Sequence, residues 1–399
     1  MTLSTTKSAD DTCESCNSAC RKRYQEREAL IQSARDQIRA SRESMEGDGW
    51  GARFERLFFK EEVDKAEQAA ARFERNNKAI IRAYAADNVY NQGKEGHCLT
   101  NLSKSKEKFE KLLGLAAAKF TNEDFSNPET GFKAALYRSE SDGRVILAFQ
   151  GTDPETLVDW DTNIKNGLGR STAQGEAARK LAKKLTDAGV DFDIAGHSKG
   201  GGLATLAATR APKAQVYTFN SAGVSPGIIK QYGEVTVENL TRRTQAFRFQ
   251  DEFLTIMQSQ TTAQGRIDQA EQLLSELKGE AGWKNPLKII KRDTSGKNEA
   301  NFVKERDDLF TKFSDEIKNA RQRMAAGDNL DDYFPPAIGT PVDLGPAPDT
   351  VLNQRLDRLN NHTMRGLLDG GVLPRMESQK NEDIVALHEF VSPSDNLRY

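Results

Sequence analysis

An α/β fold, a mostly parallel sheet flanked by helices, is the architecture this sequence predicts, on three observations. Between residues 131 and 250, apolar runs of strand length alternate with helical spacings, the texture of successive βαβ units. A glycine-rich turn, Gly196-His197-Ser198-Lys199-Gly200, joins one such run to a helix. Stretches before and after this region show helical apolar spacing without strand signals, so helices are added to the sheet domain at both ends.

The 399 residues suffice for two to three domains of roughly 100–200 residues each. Residues 1–20 are expected to be a flexible, cysteine-containing N-terminus. Residues 21–88 predict a helical hairpin: Tyr24, Ile31, Ala34 and Ile38 share one helical face, Ala66, Ala70, Phe73 and Tyr84 another, and Gly47, Gly49 and Gly51 break the pattern between them. Its charged residues read as wet faces. Residues 89–251 predict the sheet core. Phe132 to Arg138 alternates, Ser141-Asp142-Gly143 turns, and Arg144 to Gln150 is a mostly apolar run. A helix over Ala177, Leu181 and Leu185 follows. Next come a strand at Phe192 to Ala195, a helix over Leu203 to Arg210, and strands at Ala214 to Phe219 and Thr244 to Phe249.

Residues 252–335 leave that rhythm. Ile267, Ala270, Leu274 and Leu277 make one apolar stripe, and Phe310, Phe313, Ile317, Ala320 and Met324 another, so an inserted helical hairpin is expected as a cap. Between them Trp283 to Lys291 is apolar and basic together, a mixture that suits a lipid interface or a helix contact. Pro335 to Pro348 reads as an irregular loop, and residues 336–399 return to the core domain.

Composition excludes several classes. With 57 Lys and Arg against 59 Asp and Glu, the chain lacks the basic balance of a nucleic-acid binder. No run approaches the roughly 18 apolar residues of a membrane helix. The first residues lack the basic start and apolar stretch of a signal peptide, so any export is expected to use another route. Cys13, Cys16 and Cys20 form C-x2-C-x3-C, and Cys98 follows His97. Reduced thiols, disulfides in an oxidising compartment, and a zinc site assembled from these residues are all open.

The turn carries the chemistry. A G-x-S-x-G sequence between a strand end and a helix start is the setting of a nucleophile elbow, where strained backbone presents a serine and its neighbours two residues away must be small. Gly196 and Gly200 meet that demand. Ser198 would also sit at a helix N-terminus, which favours developing negative charge. The competing reading, a nucleotide-binding turn, lacks the G-x4-G-K-[ST] spacing. An oxyanion hole needs one N–H from the residue after the serine, here Lys199, and one from an earlier strand end, where Gln150-Gly151-Thr152-Asp153 places Thr152.

Taken together, AFQGTD, DWDTN at Asp159 to Asn163, GHSKGGGLA and TFNSAG at Thr218 to Gly223 resemble the class 3 (Rml-type) lipases of the α/β-hydrolase fold. The resemblance covers about residues 85–260 and 338–370. It is closest to the lipase-like toxins that bacteria deliver by type VI secretion. Gln150 and Lys199 depart from the usual Arg and Leu of those lipases, but neither removes a backbone donor, and Lys199 makes the mouth more cationic. The chain order Ser, acid, His points to Asp251 at the end of strand 244–250, with Glu252 as its alternative and helix capping as the competing role of Asp251. His362 and His388 are the histidines that follow the acid. His362, on a loop entering a helix, is expected to be the base; His388 lies in an apolar run near the terminus. His97 and His197 read as structural.

The resemblance implies a serine ester hydrolase acting on membrane phospholipid, an A-type phospholipase, with no metal or organic cofactor. It also implies a toxin made in the cytoplasm and exported without a cleaved signal to the envelope of a target cell. Its partners would be a cognate immunity protein and a secretion spike or adaptor. An intracellular housekeeping esterase and an inactive hydrolase-like binding module are the alternatives.

Overall fold

The computed structural model describes residues 9–90, 97–151, 173–233, 235–250, 252–279, 299–330, 333–346 and 372–392. Two long helices come first, α1 (Ala9–Ser44) and α2 (Trp50–Asn88). Helix α1 starts well inside the segment expected to be a flexible terminus, which is corrected from residue 9 onward. Nothing between Ala9 and Cys20 breaks a helix, and Cys20 is buried. The two helices turn at Gly47, whose φ of 101° is cheap only for glycine. Ile31, Ala34 and Ile38 of α1 then pack on Val63, Ala66, Ala70 and Phe73 of α2.

Helix α2 does more than close a hairpin. Its later turns, through Ala79, Ile80, Ala83 and Ala86, lie on the sheet against Tyr137, Ile146, Ala148 and Phe247. Its first turns instead present Trp50, Phe54, Leu57 and Phe58 to solvent, one face of the helix by their spacing.

The sheet then assembles from β1 (Leu99–Asn101), α3 (Lys106–Leu113), α4 (Asn122–Phe125), β2 (Ser126–Asn127), β3 (Phe132–Ser139) and β4 (Val145–Phe149). It continues through α5 (Ala173–Asp187), β5 (Phe192–His197), α6 (Lys199–Ala207) and β6 (Val216–Phe219). After α7 (Pro226–Tyr232), α8 (Val237–Arg243) and β7 (Thr244–Arg248) come α9 (Phe253–Met257), α10 (Ala263–Gly279) and α11 (Glu299–Ala325). Strand β8 (Thr340–Asp343) and helix α12 (Val372–Val391) complete it.

The strand order is β1-β3-β4-β5-β6-β7-β8, with β2 also paired to β3. The pairs of β1, β2 and β4 with β3 are antiparallel, and every neighbouring pair from β4 to β8 is parallel. Helices cover both faces. Leu181 and Leu185 of α5 and Leu203 and Ala207 of α6 meet Leu147, Phe149 and Ile194 on one side; α2 and the start of α12 cover the other. Strands sandwiched this way read as continuous apolar runs, which is why Val145 to Phe149 shows no alternation.

Strand β8 falls in the stretch expected to be an irregular loop. It sits at the sheet edge with only Val342 buried, and an edge tolerates Pro341, so neither apolar pattern nor composition announces it. The helices between β7 and β8 form a small core of their own, with Ile267, Ala270, Leu273 and Leu274 of α10 against Ile317 and Ala320 of α11.

Two devices tie α1 and α2 to the sheet. Cys20 of α1 and Cys98, next to β1, form a disulfide with Cα atoms 5.9 Å apart; this takes two sulfurs that a zinc site would have needed. At the N-terminal ends of the parallel strands, Arg82 of α2 pairs with Asp193 at 2.6 Å and Asp142 at 2.5 Å. Arg144 reaches Asp193 at 2.9 Å and also pairs with Asp191. Burial opposes the Arg82 charge, but the two aspartates outweigh it and raise its pKa.

Candidate active site

Ser198 stands where β5 ends and α6 begins, at φ 55° and ψ −128°. Such a conformation costs a non-glycine residue roughly 1–3 kcal/mol and persists only when its surroundings hold it. Here the Ser198 N–H donates to the Phe219 carbonyl at 3.1 Å, and the Ser198 carbonyl accepts from Gly201 N and Ala222 N, each at 3.0 Å. The flanking glycines are required by distance. A Cβ on Gly196 would stand 2.1 Å from the Gly200 carbonyl oxygen, and one on Gly200 would stand 2.3 Å from that of Phe149. The turn can therefore close against β4 only if both positions lack side chains. Ser198 is 7% exposed and is the N-cap of a helix, whose positive dipole end favours negative charge that develops near its oxygen. Lys199 is the first residue of that helix.

Beside the elbow, β4 runs out at Phe149 and continues through Gln150 and Gly151. The Gly151 N–H donates to the Tyr90 hydroxyl at 2.9 Å. The same hydroxyl lies 3.4 Å from both the carbonyl oxygen and Nδ1 of His197. His197, 2% exposed, is thus packed under the elbow. Tyr90 is a residue that sequence reasoning missed. It sits just past the end of α2, far from the motif in the chain, and carried no signal of its own.

Thr152, Asp251 and His362 lie outside the described residues, as do Asp159 to Asn163 and Trp283 to Lys291. Glu252 is fully buried, and its carboxylate accepts from Leu254 N at 2.9 Å, Thr255 N at 3.0 Å and Thr255 Oγ1 at 3.1 Å. It is the N-cap of α9, so the capping role weighed for Asp251 belongs to its neighbour. His388 is exposed on α12, next to Leu387, which packs into the α1–α2 hairpin rather than near the elbow. His97 stacks on Tyr84 with ring centroids 4.0 Å apart.

The helical insertion touches the elbow's other flank. Gln258, just past α9, donates to the Ser221 carbonyl at 3.1 Å, and Ala222 belongs to the insertion's apolar cluster. The chain returning to β8 passes so close that a Cβ on Gly223 would meet the Pro335 carbonyl oxygen at 1.7 Å. A groove at the opposite end of the strands is lined by Arg82, Asp142, Arg144 and Asp193, which are occupied with one another.

A serine strained at a strand–turn–helix corner of a mostly parallel sheet, backed by glycines, defines the class: an α/β protein with a sharp serine turn at the end of a central strand. Residues 81–294, just over half of the chain, match the model of the Tle-like phospholipase domain, a phospholipase-like family. The chain belongs to that family. It is also 39% identical over 105 residues to the extracellular phospholipase A1 of Serratia liquefaciens, a stretch covering 26% of this chain and 31% of that protein. The chain thus spans about a third of the length of this curated relative.

Proposed function

We propose that this protein is a serine phospholipase of A type that hydrolyses an acyl ester of a membrane phospholipid. The observation that carries the reading is the strained Ser198 elbow inside the segment matched to a phospholipase family. In the proposed mechanism His362 takes the Ser198 proton as the oxygen attacks the ester carbonyl. The carbonyl oxygen becomes an oxyanion held by the N–H groups of Thr152 and Lys199, and Asp251 orients the imidazole and stabilises its charged form. His362 then returns the proton to the leaving lysophospholipid oxygen. Water, activated by the same base, releases the fatty acid from the serine. No metal or organic cofactor takes part.

The finer reading is an antibacterial toxin delivered by type VI secretion, held in check by an immunity protein in its producer and carried by a spike or adaptor protein. The disulfide between Cys20 and Cys98 supports a working place outside the reducing cytoplasm, such as the envelope of a target cell.

Ser198→Ala tests the reading. The wild type is expected to release fatty acid from phospholipid vesicles, identified by mass spectrometry, and to be labelled by a fluorophosphonate. The variant should fold normally, resist the label and lose on the order of 10⁶ in rate. Turnover like the wild type's in the variant would refute the assignment.

A further inference from the structure

The geometry points to Tyr90 as a positioning residue for the oxyanion site. We infer that its hydroxyl locks the residue before the proposed oxyanion donor onto the residue before the nucleophile. The inference rests on the serine-hydrolase reading above and deepens it.

One oxygen atom carries the link. Tyr90 Oη accepts the Gly151 N–H at 2.9 Å, and the hydroxyl donates to the His197 carbonyl oxygen at 3.4 Å and lies 3.4 Å from His197 Nδ1. Gly151 immediately precedes Thr152, and His197 immediately precedes Ser198. The β4–β5 register ends at Phe149 opposite Gly196, so beyond that point ladder pairing no longer fixes the two strand ends against each other. Tyr90 bridges them there. The fit is close: a Cβ on Gly151 would stand 2.3 Å from Tyr90 Oη and 2.7 Å from the His197 carbonyl oxygen.

Such a bridge matters because glycine has the widest backbone freedom of any residue. The plane of the Gly151–Thr152 peptide decides where the Thr152 N–H points. Donors to an oxyanion act only when held within about 0.5 Å of the productive place. A hydrogen bond on Gly151 N–H anchors the preceding Gln150–Gly151 peptide plane, so before substrate arrives only the two Gly151 dihedrals lie between an anchored plane and the Thr152 N–H. Tyr90 itself is well supported. Val89 beside it is buried against the sheet, and a few residues later the chain is tied through Cys98 to α1. The turn that follows the helical hairpin therefore contributes an atom to the catalytic geometry.

The test uses the full chain, a soluble short-chain nitrophenyl ester, and a fluorophosphonate that counts and times Ser198 modification. In Tyr90→Phe the ring stays and one oxygen goes. Loss of an oxyanion donor outright costs about 10²–10³ in kcat, and loosening its support is expected to cost about tenfold to a hundredfold. KM should stay within about twofold, and Ser198 labelling should slow in parallel, because phosphonylation loads the same oxyanion site. Tyr84→Phe, in the helix that precedes Tyr90 but stacked on His97, should leave kcat unchanged. An unchanged kcat in Tyr90→Phe, a change in KM alone, or a fall fully explained by fewer labelled sites would overturn the proposal. Should Tyr90→Phe fail to fold, hydrogen exchange on the wild type decides: slow exchange at Gly151 N–H supports the bridge, and exchange at the rate of an open loop refutes it. Wild type that is not labelled at Ser198 removes the serine-hydrolase reading and this proposal with it. Labelled wild type with an unaffected Tyr90→Phe removes the proposal alone.

Discussion

At the scale of single residues, the glycines around Ser198 do different work. Gly196 and Gly200 face backbone atoms that cannot retreat, whereas a Cβ on Gly202 would meet its nearest neighbour, the Ala222 carbonyl oxygen, at an ordinary 3.4 Å. Gly196→Ala is therefore expected to lose stability at the upper end of the roughly 1–3 kcal/mol that overpacking costs. Gly202→Ala, inside α6, should be neutral or gain up to about 1 kcal/mol from helix propensity. Urea unfolding of both variants checks the contrast. The neighbouring carboxylates near β7 can be separated in the same way. Glu252 is engaged by two backbone N–H groups and a hydroxyl, so Glu252→Ala should cost about 0.5–2 kcal/mol as a lost cap and leave kcat per folded molecule unchanged. Asp251→Asn is expected to lower kcat about 10⁴-fold with little change in stability. If Glu252 proves to be the one that governs kcat, the acid of the triad has been assigned to the wrong neighbour.

Among elements, those with strong periodicity were legible and the short ones were not. Val145 to Phe149 and Phe192 to His197 are buried along their whole length, so their apolar runs announced them. The stripes at Ile267 to Leu274 and Ile317 to Ala320 announced α10 and α11 because those residues make a private core. Strand β8 stayed hidden because one buried valine cannot make a pattern. The seven-residue helices α7 and α8 each bury a single side chain, Ile229 and Leu240, and left as little trace. The elbow was legible because glycine and serine at fixed spacing reflect steric limits. The Tyr90 bridge was not, because its partners lie 61 and 107 residues away in the chain and only the packing of α2 on the sheet brings them together.

For the whole molecule, the attachment of the helical hairpin to the sheet is the controlling feature. Arg82 is almost fully buried between Asp142 and Asp193, and removing one partner of a buried pair typically costs about 3–5 kcal/mol because the other charge is stranded. Arg82→Met, which takes the cation from buried Asp142 and Asp193, is expected to lose that much, whereas Arg82→Met paired with Asp193→Leu should recover part of it; denaturation midpoints compare them. The network also fixes the acid limit. Burial pushes the Asp142 carboxyl up, yet the Arg82 charge and its hydrogen bonds more than reverse this and hold it below the ordinary 3.8. Its stabilising contribution is therefore complete above about pH 4 and is lost as the pH falls through the lower folded value. The disulfide adds a constraint of a different kind. Joined at Cys20 and Cys98, the backbone between them is a closed ring rather than a strand with free ends, and α2 lies wholly within it. A single cut at the Gly47 turn opens the ring without releasing a piece, so α1 remains part of one covalent molecule until the bond is reduced. The same ring cannot be drawn through a narrow passage in single file: while it is closed, two lengths of chain must enter abreast.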